Sequence, residues 1–210
     1  MEHTDMNETS RPRPQPPDGP PPAGGDYITV DDTGDFGYHR SEQELLAAFE
    51  YVGEARSIID RRGNDYLLVM DPNRRLVLGP ALGPVEFHWL GQAWQAAQNV
   101  HAERHRIRRF HPGSRDQLLR DLFETLVLEH APEPGPGSWT LEAGGATMRL
   151  HNLQEVDSRL SRQSRLETVR VRDPFGRTYR PVLHRRHWYM PAAAGLMVYV
   201  ETPPHDEAPG

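Results

Sequence analysis

Four groups of residues have types and spacings that could do chemistry. His101 and His105 stand four apart in a stretch that reads as helix, the spacing at which two imidazoles can share a metal ion. Ala102 follows His101 where a zinc-peptidase motif needs glutamate, and Arg104, Arg106, Arg108 and Arg109 surround the pair with positive charge. A dication is disfavoured in that field, so the segment reads as a solvated basic face.

His184 and His187, with Arg185, Arg186, Trp188 and Tyr189, could bind phosphate or supply a general base for a hydrolase or transferase. A base needs a partner at a defined distance, and the sequence fixes neither Asp31, Asp35 nor any other carboxylate beside it. A charged edge strand that discourages sheet-to-sheet pairing is the better reading.

Asp31, Asp32 and Asp35 could supply oxygens to a hard cation. A twelve-residue calcium loop starting at Asp31 finds its glutamate at Glu42, but Phe36 stands where glycine is required. An acidic turn leading into a helix explains these residues better, and neither a metal nor a cofactor is expected. No glycine-rich phosphate loop, nucleophile elbow or dinucleotide fingerprint occurs in the chain.

The fourth group is Arg170, Arg172, Arg177 and Arg180. Val169 and Val171 alternate with Arg170 and Arg172, so a strand there turns arginines to one face and valines to the other. With Phe175 and Tyr179 nearby, such a face could hold single-stranded nucleic acid by phosphate contacts and stacking. The acidic net charge of −6 and the absence of a recognition motif argue for a protein partner instead.

The elements that must position these groups form two similar runs. In the first, Tyr27 to Asp31 reads as a strand, Asp32 to Gly37 as a turn, and Ser41 with Glu44 as a capping box opening a helix through Leu45, Phe49 and Val52. Strands follow at Ser57 to Asp60, Tyr66 to Met70 and Arg75 to Leu78. Two longer amphipathic helices come next, one from Val85 to about Arg108 and one opened by Ser114 and Gln117 that carries Leu118, Leu119, Leu122, Phe123, Leu126 and Val127. The second run comprises strands Ser138 to Glu142 and Ala146 to Leu150 around Gly144 and Gly145. A helix capped by Asn152, a hairpin over Glu167 to Leu183 and a last strand at Leu196 to Thr202 complete it.

Asp60, Gly63, Tyr66 and Val69 recur at the same spacing as Asp173, Gly176, Tyr179 and Val182. Aspartate and glycine belong to any tight turn, so the tyrosines, the valines and the shared element order carry the extra agreement. The expected fold is α+β. Two related strand-helix-hairpin units, a possible internal duplication, are joined by two longer helices, and a disordered proline-rich segment precedes them.

The boundaries follow composition. Residues 1–26 hold seven prolines between Arg11 and Gly25 and read as a disordered leader; 27–130 form the first unit with two helices; 131–137 form a linker; 138–202 form the second unit; 203–210 form a disordered tail. No cysteine is present, which excludes disulfides, thiolate metal sites and a cysteine nucleophile. No stretch approaches the length of a membrane span, and a cytoplasmic protein without a membrane association is expected. All 24 basic residues are arginine, which reads as coding bias rather than a need for guanidinium.

Charge is unevenly distributed. Residues 1–60 hold thirteen acids against four arginines, whereas residues 159–186 hold nine arginines against two acids. Such asymmetry suits either an external partner or two complementary halves. The functional expectation is a non-enzymatic protein that neutralises or accompanies a protein partner, as toxin-immunity proteins do. Contact is expected through Arg170, Arg172, Arg177 and Arg180, or through Asp31, Asp32 and Asp35.

Overall fold

A computed structural model describes residues 25–130, 137–163, 165–184 and 195–203. Residues 131–136 of the proposed linker, most of the leader and tail, and His187 with Trp188 and Tyr189 lie outside these residues. Helices and sheets are mixed and segregated, as an α+β fold requires. Among the described residues, no helix is long and apolar enough to cross a membrane.

The first sheet is built from β1 (Tyr27–Asp31), β2 (Phe36–His39), β3 (Ala55–Asp60), β4 (Asn64–Tyr66) and β7 (Gly83–Pro84), in the order β2-β1-β3-β4-β7. A small hairpin of β5 (Leu68–Met70) and β6 (Leu76–Leu78) leaves its edge. The helix α1 (Glu42–Ala47) begins at Ser41, whose hydroxyl accepts the Glu44 N–H at 3.2 Å, while the Glu44 carboxylate accepts the Arg40 N–H at 3.0 Å. Two orphan amides are thereby satisfied at the helix start.

Three expectations for this half are corrected. Phe36 to His39 is a strand rather than part of a turn, because Gly34 at φ +82° reverses the chain early and lets β2 pair with β1. The helix α1 stops at Ala47, so Val52 is 45% exposed, although Phe49 still packs against the core. The third concerns α2 (Phe87–Val100), which ends at His101, well short of Arg108.

What ends α2 is tertiary. Past its cap the chain enters β8 (Ile107–Arg108), which pairs parallel with β13 (Leu196–Glu201) of the second sheet. The amide hydrogens of Arg106 and Ile107 are accepted by the Glu129 carboxylate at 2.6 and 2.8 Å. Glu129 sits near the end of α3 (Arg115–His130), whose Leu118, Leu119, Leu122, Phe123 and Leu126 are buried. Ser114 caps this helix, accepting the Gln117 N–H at 3.3 Å.

The second sheet has the order β10-β9-β11-β12-β13-β8, with β9 (Trp139–Ala143), β10 (Ala146–Leu150), β11 (Arg170–Arg172) and β12 (Thr178–His184). Asn152 caps α4 (Leu153–Leu160), which buries Leu153, Val156 and Leu160. The four strands β10-β9-β11-β12 repeat the order β2-β1-β3-β4, and a capped helix sits at the same place in each series. Register agrees as well: Ile58 faces Tyr66 and Val171 faces Tyr179, while Ile28 lies between Tyr38 and Ile59 as Thr140 lies between Arg149 and Arg172.

The turns agree atom by atom. One Asp60 carboxylate oxygen accepts the N–H groups of Arg62 and Asn64, and the other accepts the Tyr66 hydroxyl at 3.0 Å. Asp173 does the same with Phe175, Arg177 and the Tyr179 hydroxyl at 2.8 Å. Gly63 and Gly176 hold φ of +76° and +88°, a conformation in which a side chain is strained. Burial and the neighbouring Asp60 push the Tyr66 hydroxyl up to about 12, and burial with Asp173 pushes Tyr179 up as well.

Candidate functional site

Chemistry-bearing side chains fall into an internal charged network and an open sheet face. The network begins at His105, which is fully buried rather than part of a solvated face. Its Nε2 lies 2.8 Å from the Asp35 carboxylate and its Nδ1 lies 3.2 Å from Glu129. Each ring nitrogen thus lies within hydrogen-bonding distance of a carboxylate. Arg104 also bonds Asp35, whose side chain is 4% exposed, and the rings of Phe36, Trp94 and His130 close around His105. His101 has no place in this cluster: its Nε2 is buried without a hydrogen-bond partner among the described residues.

A second part of the network ties α3 to the second sheet. Arg109, 5% exposed, meets Glu124 at 2.5 Å, Asp173 at 3.2 Å and Asp121 at 3.5 Å. Arg177 bonds Asp121 and reaches Glu201 at 2.9 Å and Glu124 at 3.4 Å. Arg106 meets Asp157 at 2.6 Å, and the same carboxylate accepts the Tyr199 hydroxyl at 2.5 Å. The basic run around residue 105 is therefore held largely by internal acids, the complementarity between halves that the charge distribution allowed. Among the described residues, no group of three or more histidine, aspartate or glutamate side chains could hold a metal ion.

The acidic trio has three fates. One Asp31 carboxylate oxygen accepts the N–H groups of Thr33 and Asp35 at 2.8 and 2.9 Å and so fixes the turn. Asp35 is the buried partner of His105, and Asp32 alone faces solvent. The arginine quartet also divides. Arg177 belongs to the internal network, whereas Arg170, Arg172 and Arg180 are exposed.

Register places those three arginines on one face. Arg170 sits beside Glu142 of β9, Arg172 beside Thr140, and Arg180 beside Val200 of β13. Arg149 of β10 lies next to Thr140 and adds a fourth exposed arginine, which the sequence reading missed. Its signal was the alternation of Thr147 and Arg149 with buried Leu150. The opposite face carries Trp139, Leu141, Val171 and Tyr179, which pack with α4.

The equivalent face of the first sheet is covered. There the rows read Tyr38, Ile28, Ile59 and Phe36, Val30, Ser57, and the apolar members pack against Leu90 and Ala97 of α2 and the leucines of α3. In the second sheet the corresponding rows read Arg149, Thr140, Arg172 and Thr147, Glu142, Arg170; only Thr140 is partly buried. One scaffold position is thus core in one sheet and a basic surface in the other. His184, at the end of β12, is exposed.

No protein family, curated protein or solved structure matches the chain.

Proposed function

We propose that this chain is a non-enzymatic accessory protein that docks an acidic surface of a protein partner on the open face of its second sheet, neutralising or accompanying that partner. The observation that carries this reading is the contrast between two sheets of matching order and register. In one, the face is apolar and sealed by two helices; in the other, Arg149, Arg170, Arg172 and Arg180 stand in its place. We read the two units as diverged copies of one scaffold, the second having exchanged a core face for a contact face.

Four exposed guanidiniums around a single Glu142 give the face a positive field that would speed encounter with an acidic partner and exclude basic ones. Val200, 38% exposed beside Arg180, adds apolar contact. A protein is favoured over single-stranded nucleic acid because the rows across β10, β9 and β11 hold no aromatic side chain on which a base could stack. Phe175 is exposed, but it belongs to the turn beyond the strands. A reaction that uses His184 or His187 finds less support, since His184 is exposed and pairs with no carboxylate among the described residues, and His187 lies outside them.

Hydrogen exchange of the full chain with and without a captured protein partner tests the location. Protection is expected across β10, β9, β11 and β12. Protection confined to α1 or the β5–β6 hairpin would sink the proposal. A single-stranded oligonucleotide titrated at low salt should bind weakly; tight binding lost on Arg170→Ala and Arg172→Ala would favour nucleic acid instead.

A further inference from the structure

A cleft of about 510 Å³ opens between α2, α3 and the segment from Ile107 to Pro112, where Arg108 of β8 stands beside Val200 at the end of the row that holds Arg180. Its size is that of an ordinary small-molecule pocket. Phe87, Trp94 and Phe110 contribute aromatic wall, and Gln92, Gln95 and Asn99 line it from one face of α2. All three amide side chains are exposed, as the polar side of an amphipathic helix is, while Leu90 and Ala97 of α2 turn into the core.

Arg108 supplies the charge. Of the four arginines between residues 104 and 109, Arg104, Arg106 and Arg109 each hold a carboxylate. Among the described residues Arg108 makes no such ion pair. Its Nη1 and Nη2 donate to the carbonyl oxygens of His105 and Gln98, the latter at 2.6 Å, which leaves donors of the guanidinium fork free for a further acceptor. Burial holds its pKa below the usual arginine value, partly countered by Glu129, so a fixed cation sits in a partly desolvated wall. The carboxylate that lines the cleft, Asp121, is already bonded by Arg177 and Arg109 and does not neutralise it.

We infer that this cleft binds a small aromatic carboxylate, its ring against Phe87, Trp94 and Phe110 and its carboxylate on Arg108. A guanidinium recognises carboxylate in a planar, two-point geometry that a neutral amide does not reproduce. The glutamine and asparagine side chains offer neutral donors and acceptors to ring substituents.

The test titrates the purified full chain with 2-naphthoate and with its neutral isostere 2-naphthamide, read by calorimetry and by ligand-observed NMR. Naphthoate is expected to bind about ten-fold or more tightly than naphthamide, the size of a charge-assisted hydrogen bond. Arg108→Gln should abolish that preference, and Phe110→Ala should weaken both ligands. Circular dichroism checks that each variant folds; if Arg108→Gln does not, Phe110→Ala still tests the site, because that ring is 49% exposed and its loss leaves the core intact. Arg170→Glu with Arg172→Glu should leave naphthoate binding unchanged. Equal affinity for the two ligands, no binding of either, or loss of binding only in the Arg170 and Arg172 variant would each overturn the inference.

Discussion

Replacing Arg109 by glutamine should destabilise the protein far more than the same change at Arg61, although both arginines are ion-paired. Arg109 is 5% exposed and bridges Glu124, Asp173 and Asp121, and its Nε donates to the Tyr179 hydroxyl at 3.1 Å. Removing one partner of a buried pair costs about 3–5 kcal/mol, because the carboxylates left behind keep their desolvation penalty. Arg177 still reaches Asp121 and Glu124, and Asp173 keeps its turn amides, so the lower end of that range is expected. For a domain of this size, about 3 kcal/mol corresponds to a fall in melting temperature of roughly 6–12 °C.

Arg61 meets Asp26 through two hydrogen bonds of 2.6 Å, but its side chain is 56% exposed. Water screens such a pair, and Arg61→Gln should cost no more than about 1 kcal/mol even with the contact over the Phe123 ring. Urea unfolding followed by tryptophan fluorescence measures both variants on one scale. A cost for Arg109→Gln below about 1 kcal/mol, or equal to that of Arg61→Gln, would refute burial as what separates the two pairs.

Acid should weaken the fold before its carboxylates titrate. Burial lowers the pKa of His39 and of His130 from the ordinary 6.5, so the unfolded chain binds protons more readily than the native one. Stability from these groups is present above 6.5 and is lost as pH falls toward the depressed native values. The urea midpoint should therefore drop between about pH 7.5 and about pH 5.5, and a flat or rising midpoint would contradict it. The two turn glycines should differ. Gly176→Ala meets open space and should cost about 1–2 kcal/mol from its left-handed backbone alone. Gly63→Ala should cost more, since its methyl would also overlap the side chains of Arg115 and Leu119; equal unfolding midpoints would show that α3 yields.

Much of the fold was legible because periodicity and turn chemistry are local. The leucines of α3 recur at helical spacing, and Ser41, Ser114 and Asn152 mark helix starts through a side-chain oxygen that accepts a nearby amide hydrogen. β2 escaped notice because its four residues follow directly on a turn rich in aspartate and glycine. The end of α2 escaped for a different reason. No proline or glycine interrupts the run from His101 to Phe110, and what stops the helix is the pull of Asp35 and Glu129 on His105, from 70 and 24 residues away. The same distance problem divided the arginines. Arg172 and Arg177 look alike in sequence, but Arg177 finds Asp121, Glu124 and Glu201, while Arg172 lies on a face that no described helix covers.

Charge reversal on the open face tests the proposed partner most directly. Arg170→Glu, Arg172→Glu and Arg180→Glu together should leave the melting temperature nearly unchanged, because all three side chains are exposed. In quantitative capture from the native cell, the triple variant should lose an acidic protein that the unaltered chain retains. Arg56→Glu, an equally exposed change on β3 of the first sheet, should keep it. Retention of the same partner by the triple variant, or its loss on Arg56→Glu alone, would contradict a docking role for the second sheet.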